Sequence, residues 1–365
     1  MDDMITAALA PIFANVTTNS EVADFYQEVA ADLKESAQVK LMQDSALTER
    51  MAVQLALAEM GDLAGVVQLL AAAGDEQQFA QLPVLQTLKQ IQQLFDPNVI
   101  HHVRVQAKGA KIQFVQSVTA DISVTYNQRG FFKGGLAMVQ RDDVLELNLP
   151  VMQPWANLVP FKHPRQTLVI GVPEQFLGQV TLNTHNGVAE FDHLVVPNLA
   201  VDVNNKAGNL VLNDIAVAKV ALRTKSGNIK VTASNSNSWQ ADINAGNLTV
   251  VDTNGHFDVR VLTGNAKLKQ VLGAGDFTVE SGNLMVDWRG LQGNVTFNMQ
   301  NGNIKNTVPL DTAFAFDLQS QNGVVKVTRP ASYDVETVSY AKGRTAIDAV
   351  YQITAKSRGG NLHFR

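Results

Sequence analysis

Few residues of this 365-residue chain have the type and spacing to do chemistry. The side chains whose ordinary pKa lies near neutrality are seven histidines: His101, His102, His163, His185, His193, His256 and His363. His101 and His102 are neighbours on an expected strand, so they point to opposite faces and cannot chelate one ion together. Cysteine is absent, which removes thiol nucleophiles, disulfides and Cys-ligated zinc. The patterns G-x-x-x-x-G-K-S/T, H-E-x-x-H and G-x-S-x-G do not occur. Gly273-Ala274-Gly275-Asp276 echoes a calcium-binding turn, but it occurs once where such sites need serial copies. The sequence therefore assigns no catalytic residue, no metal ligand and no cofactor.

Two sets of residues could bind rather than react. Lys230, Lys267, Lys305 and Lys326 each stand three residues after a recurring glycine. The same offset holds Glu190, Val211, Thr249 and Met285, so the lysines gather in the later copies. One outward column is expected, with Lys230, Lys267 and Lys305 two rungs apart and Lys305 and Lys326 on adjacent rungs. Such a column would face an extended polyanion, either an anionic cell-wall polymer or a membrane surface. The plainer reading is a solvated face whose lysines discourage aggregation. The second set is Trp155 and Phe161 in the Pro-punctuated stretch "VMQPWANLVPFKHPR", residues 151–165. Exposed, it would anchor a partner or a membrane interface; folded back, it would cap the core.

These residues take their positions from a repeat. A glycine recurs at 187, 208, 227, 246, 264, 282, 302 and 323, and a further copy is Gly360-Asn361. The first eight are spaced by 21, 19, 19, 18, 18, 20 and 21 residues. A fixed period near 20 is the signature of a stacked-repeat architecture. Residues two and four after the glycine are apolar, as in Leu210 and Leu212, Ile229 and Val231, Leu248 and Val250. Period 2 places them on one inward face. Asn306 breaks the pattern, and either a coil opening or an intruding turn is expected there. A second alternating strand, as in Trp239-Ala241-Ile243, fills the other half of each coil.

The expected fold is mainly β: a two-faced parallel β-solenoid of about eight 18–21-residue coils, preceded by an α-helical bundle. The pairs Gly208-Asn209, Gly227-Asn228, Gly246-Asn247, Gly264-Asn265, Gly282-Asn283 and Gly302-Asn303 read as its structural corners. Glycine supplies the positive φ of a corner, and asparagine can bond to its stacked neighbour. Residues 99–185 and the tail 328–365 are the expected end covers, with Leu362-His363-Phe364 completing a ninth coil.

The first 96 residues differ in composition. Lys34, Lys40, Arg50 and Lys89 face fourteen acidic residues there, whereas the remainder carries 25 basic and 20 acidic groups. No dense Lys/Arg cluster appears, so nucleic acid is not an expected partner. A helical stripe runs Val22, Phe25, Tyr26, Val29, Leu33, Ala37 and Leu41. Thr48 can cap a second helix carrying Met51, Ala52, Leu55 and Met60, and Asp62 a third over residues 63–73. A fourth follows Pro83, with Leu85, Leu88, Ile91 and Leu94, and stops at Asp96-Pro97-Asn98. The expected domains are an acidic helical module at 1–96, an opening and cap region at 99–185, and repeats with a C-terminal cap at 186–365. Met1-Asp2-Asp3-Met4 is acidic where a secretory signal is basic, and no apolar run reaches the roughly 20 residues of a membrane span. The expected location is the cytoplasm or the cell surface.

Within the helical module, "ADLKES", "LTERMAVQLAL" and "EMGD" resemble the HAAS or permease-prefix type of helical module. From residue 99 on, "VIHHVRVQAKGAKIQFV", "DVLELNLP", "LVIGVPEQFLGQVTLNTHNG" and the serial Gly-Asn phrases resemble a bacterial adhesin-like family of repeated β-strands, a domain of unknown function. That resemblance implies a non-catalytic, envelope-associated scaffold or a cell-envelope stress-sensing protein of a Gram-positive bacterium, with the helices as a protein-partner module. Two other classes stay open: a cytoplasmic interaction protein coupled to a PadR-type transcriptional regulator, and a carbohydrate-active enzyme. The third needs a cleft with clustered carboxylates, for which most coils are too short.

Overall fold

The computed structural model describes residues 1–14, 16, 20–43, 47–58, 60, 63, 64, 67, 88–129, 135–150 and 166–365. The chain forms two compact units, one of residues 1–91, 126–136 and 149–167, the other of 92–125, 137–148 and 168–365.

In the first unit, helices α1 (Asp2–Phe13), α2 (Ser20–Gln43) and α3 (Glu49–Ala58) bury one apolar cluster. The α2 stripe of Val22, Phe25, Val29, Leu33 and Ala37 is fully inside. Thr48 caps α3, its hydroxyl accepting the Met51 N–H at 3.3 Å. Two expectations change here. On α3 the buried residues are Ala52, Val53 and Ala56, while Met51 and Leu55 are exposed. Small side chains let α3 approach α2 closely and turn the larger ones outward. Helix α1 has no counterpart in the sequence reading, although Asp2 and Asp3 in its first turn and buried Ile5 and Leu9 carry the signal.

The expected fourth helix is corrected. Leu88–Phe95 is a β-strand that pairs with the strand Ile122–Arg129. Its three-residue apolar spacing is too sparse to hold a helix against the pull of sheet hydrogen bonding. Residues 83–87, the stretch 151–165 and most of the expected third helix lie outside the described residues.

The second unit is mainly β. Rungs stack through parallel ladders, so that Leu210 pairs with Ala189 on one side and Ile229 on the other. The same column continues through Leu248, Ala266, Leu284 and Ile304. A second ladder carries Val220, Trp239 and Phe257 on one inward column. Each middle rung also has a short third side, where Ile215, Ala216 and Val217 pair with Leu194, Val195 and Val196. A two-sided coil is therefore corrected to a three-sided one. The corners that bound this side in that rung, at Asp214 and between Val217 and Lys219, are not marked by glycine.

The rungs do not follow chain order at either end. His102–Ala107 lies between Val144–Asn148 and Gln179–Thr184 and pairs parallel with both. Tyr351–Gly359 lies between Leu284–Asn301 and Phe314–Asn322, and Leu362–Phe364 between Ile304–Thr307 and Val325–Val327. The C-terminal strands are thus an internal rung, not a ninth coil at the end. The covers are antiparallel instead: Ala137–Arg141 closes on Val144–Asn148, and Tyr340–Arg344 on Phe314–Asn322 with Ser332–Glu336 outermost. An antiparallel hairpin at each end blunts a row of strand groups that would otherwise be free to pair.

Asn306 does not open a coil. It is fully buried in the inward column, and its Oδ1 accepts the Trp288 indole N–H at 2.8 Å. A buried indole needs an acceptor, and this asparagine supplies it from the next rung.

Val250 stands inward between Val231 and Leu268, 4% exposed, while Thr249 beside it points outward. Val250→Asp should destabilise the fold by several kcal/mol, because the carboxylate would enter the core without a partner. Thr249→Asp should stay within about 0.5 kcal/mol. Thermal melting of the two variants against the parent measures the difference, and similar losses for both would overturn this register.

Candidate binding faces of the rung stack

The corner glycines form one column. A Cβ on Gly208 would run into the carbonyl oxygen of Gly187, on Gly227 into that of Gly208, and on Gly246 into that of Gly227. The relation continues through Gly264, Gly282 and Gly302, then passes to Gly360 and finally Gly323. Gly246 has φ 141°, a conformation side chains rarely adopt. Both positive φ and close backbone approach exclude a side chain.

Beside the glycines runs an asparagine ladder. Asn228 Oδ1 accepts the Asn247 backbone N–H and side-chain amide, each at 3.1 Å. Asn247 does the same for Asn265, Asn265 for Asn283, and Asn283 for Asn303, at 3.0–3.2 Å. Asn209 starts the row by accepting from Asn228 N, and Asn361 ends it by accepting from Val324 N. Each amide satisfies its neighbour's backbone group where the strand ladder is interrupted by the corner.

The second corner escaped the sequence reading. His193, Asp214, Ala233, Asp252 and Gln270, each six residues after a column glycine, have φ between 48° and 53°. Aspartate and histidine tolerate that region, but alanine and glutamine give no warning of it. His193 sits 2.9 Å from Asp192 and 3.7 Å from Asp214. The Asn213 amide, and then His193, hold the Asp192 carboxyl below its usual range.

Lys230, Lys267, Lys305 and Lys326 share one outward column, in the order Lys230, Thr249, Lys267, Met285, Lys305, His363, Lys326. The expected adjacency of Lys305 and Lys326 is corrected, since the inserted C-terminal rung puts His363 between them. The lysines therefore recur on every second rung, about 9–10 Å apart. Among the described residues none of the four makes an ion pair. Partial burial, then Arg365, Lys326 and Lys305, pushes His363 below the usual histidine range. The sequence places His363 near no lysine, so nothing but the strand order reveals this neighbour.

The remaining candidates separate. Trp155 and Phe161 lie outside the described residues. His102 contacts Thr181 Oγ1 at 2.9 Å, and burial pushes its pKa down. Gly273 to Asp276 belongs to the strand Ala266–Ser281 and not to a turn. Among the described residues no group of three His, Asp or Glu could hold a metal ion, and no helix is long and apolar enough to cross a membrane.

Parallel rungs, a glycine column and an amide ladder define a β-strand-repeat protein. The chain belongs to the Toastrack DUF4097 family, whose pattern matches residues 100–365. Among solved structures, a candidate cell-adhesion protein from Clostridium sporogenes is similar at 11% identity, covering 76% of this chain and 99% of that one, with a TM-score of 0.28. A candidate adhesin from Bacteroides fragilis is similar at 10% identity, covering 76% and 97%, with a TM-score of 0.30. No curated protein matches the chain.

The ladder yields a graded expectation. Asn247→Ala removes amide bonds to both neighbouring rungs and should cost about 1–2 kcal/mol. Gly246→Ala, which needs the backbone of two rungs to separate, should cost more than Asn247→Ala. Equilibrium denaturation orders the two, and a reversed order would mean that the corner has room for a side chain.

Proposed function

We propose that this protein is a non-catalytic, envelope-associated, adhesin-like scaffold of a Gram-positive bacterium that takes part in sensing envelope stress. In this reading the rung stack is a parallel β-solenoid and its lysine face binds an anionic polymer of the cell wall or an anionic membrane surface. The observation that carries it is the lysine column, four ammonium groups on alternate rungs of one face that make no ion pair among the described residues. Regular spacing along a line suits an extended chain of charges better than one compact phosphate. The helical module is the proposed site for a protein partner, and exposed Met51 and Leu55 on α3, with Val39 and Met42 on α2, are apolar residues it could use.

The test is retention of the full chain on teichoic-acid-bearing cell walls and on anionic liposomes, at low and physiological salt. The parent should be retained at low salt and weaken as salt screens the contact. The Lys230, Lys267, Lys305 and Lys326 to Gln variant should lose most of that retention. Equal retention of both proteins, or none of either, would overturn the lysine-face reading.

His363 makes the same contact pH-sensitive. A polyanion favours the charged imidazolium, so binding takes up a proton. Because free His363 titrates below the usual histidine range, retention should strengthen as pH falls through and below that range. His363→Gln should flatten the profile without abolishing binding at neutral pH. An unchanged profile in that variant would show that His363 does not meet the ligand.

A further inference from the structure

The third side of the rungs carries a groove that neither the lysine column nor the asparagine ladder uses. It crosses six consecutive rungs, at Pro197, Ala216, Ser236, Gly255, Ala274 and Gln292, with a volume of about 580 Å³. Five steps between rungs make it about 24 Å long.

Unequal rung lengths create it. Between Gly208 and Gly282 the glycine spacing is 18 or 19 residues, but it is 21 before that stretch and 20 after it. The additional residues fall on this side. Val217 and Lys219 pair with Val196 and Ala200, so the earlier rung loops out by two residues at Pro197. Gly273 and Gly275 pair with Leu291 and Val295, so the later rung loops out by two at Gln292. The two loops are end walls and the short rungs are the floor. Gly255, with φ 139°, is confined to glycine because a Cβ there would run into the Ser236 carbonyl oxygen and the Trp239 ring of the neighbouring rung.

The lining mixes an apolar floor of proline, alanine, valine and glycine with side-chain amides, one serine hydroxyl and one imidazole. Asn237, His256 and Gln292 are exposed along the groove, and their side chains make no hydrogen bond within the described protein. Asn254 donates its amide to Asn235, and its carbonyl accepts the Trp239 indole N–H at 2.8 Å. Among the described residues no lysine, arginine, aspartate or glutamate lines the groove. Arg289, which reaches Asn254, is neutralised by Asp252 at 2.7 Å. An ionic ligand would find no counter-charge here. A peptide strand could not add to the floor as a further β-strand, because the floor rungs pair with one another, as in Asn254 N–H to Ser234 O at 3.0 Å and Leu272 N–H to Thr253 O at 3.1 Å.

We propose that this groove binds a neutral glycan chain laid across the rungs. Side-chain amides and the imidazole meet sugar hydroxyls as donors and acceptors, and the alanine, valine and glycine floor meets the C–H faces of the rings. The site goes beyond the lysine-face reading and does not rest on it.

The test uses the full chain, titrated calorimetrically with cellohexaose, chitohexaose and maltohexaose in turn. At least one should bind, with little dependence on salt. A variant carrying Asn237→Ala, His256→Ala and Gln292→Ala should bind it at least about tenfold more weakly, with unchanged melting. Asn237→Trp, a single exposed substitution that obstructs the groove, should also weaken it and guards against a folding defect in the triple variant. The fourfold lysine-to-glutamine variant should bind the glycan like the parent, which separates this site from the lysine face. Absence of binding to all three hexasaccharides, undiminished binding by both groove variants, or tighter binding of an uncharged Ser/Asn/Gly hexapeptide would overturn the proposal.

Discussion

Each rung of the β unit passes so close to the one before it that the carbonyl oxygen of one corner glycine occupies the space where the next would carry a Cβ. Every other regularity depends on that contact. It holds the rungs in register, so that residues at a given offset from the glycine stack as columns. Apolar columns become a core, because period 2 sends alternate residues inward from both long sides. The asparagine after the glycine then falls within reach of its copy one rung away, and the amide row binds the corner where strand hydrogen bonds alone are interrupted. A single side chain at such a corner pushes apart two backbones, which is why the glycine tolerates no substitute.

A stack of this kind has two ends, and both are built by placing strands out of chain order. His102–Ala107 and Tyr351–Gly359 each pair with a strand on either side, and an antiparallel pairing closes each end beyond them. A strand bonded on both edges is harder to peel away than a terminal one, so the segments at the two limits of the family region are secured internally. Such long-range pairings cost loop-closure entropy that only the completed ladder offsets. The same threading brings His363 between Lys305 and Lys326 and gives the lysine column its even spacing.

The surfaces follow from the same geometry. Outward offsets on one long side gather the lysines, and small differences in rung length on the third side hollow a groove lined, among the described residues, by amides, one imidazole and small apolar side chains. The lysine face and the groove thus differ in chemistry.

The repeat itself was legible because its cause is local. A glycine forced by positive φ, an asparagine beside it and two apolar residues at offsets of two and four are visible in any single copy, and recurrence makes them unmistakable. Thus the mainly β class, the inward set around Leu212, Val231 and Val250, and the lysine offset can all be read from residue types alone. The α2 stripe was legible for the same reason, since a heptad-like spacing fixes which face is buried. What remained hidden depends on contacts between distant parts of the chain. Asn306 looks like a flaw until Trp288 from the neighbouring rung supplies its indole N–H. Ala233 and Gln270 show no sign of a left-handed corner, because that conformation is imposed by the rungs above and below. Leu88, Ile91 and Leu94 read as a helix until a strand partner claims their backbone. The strand order at the two ends follows from no pattern in the residues, because a strand's composition states that it will pair but not with which edge. Sequence determined the rung; tertiary pairing decided the order of the rungs, and with it the neighbours that make up each face.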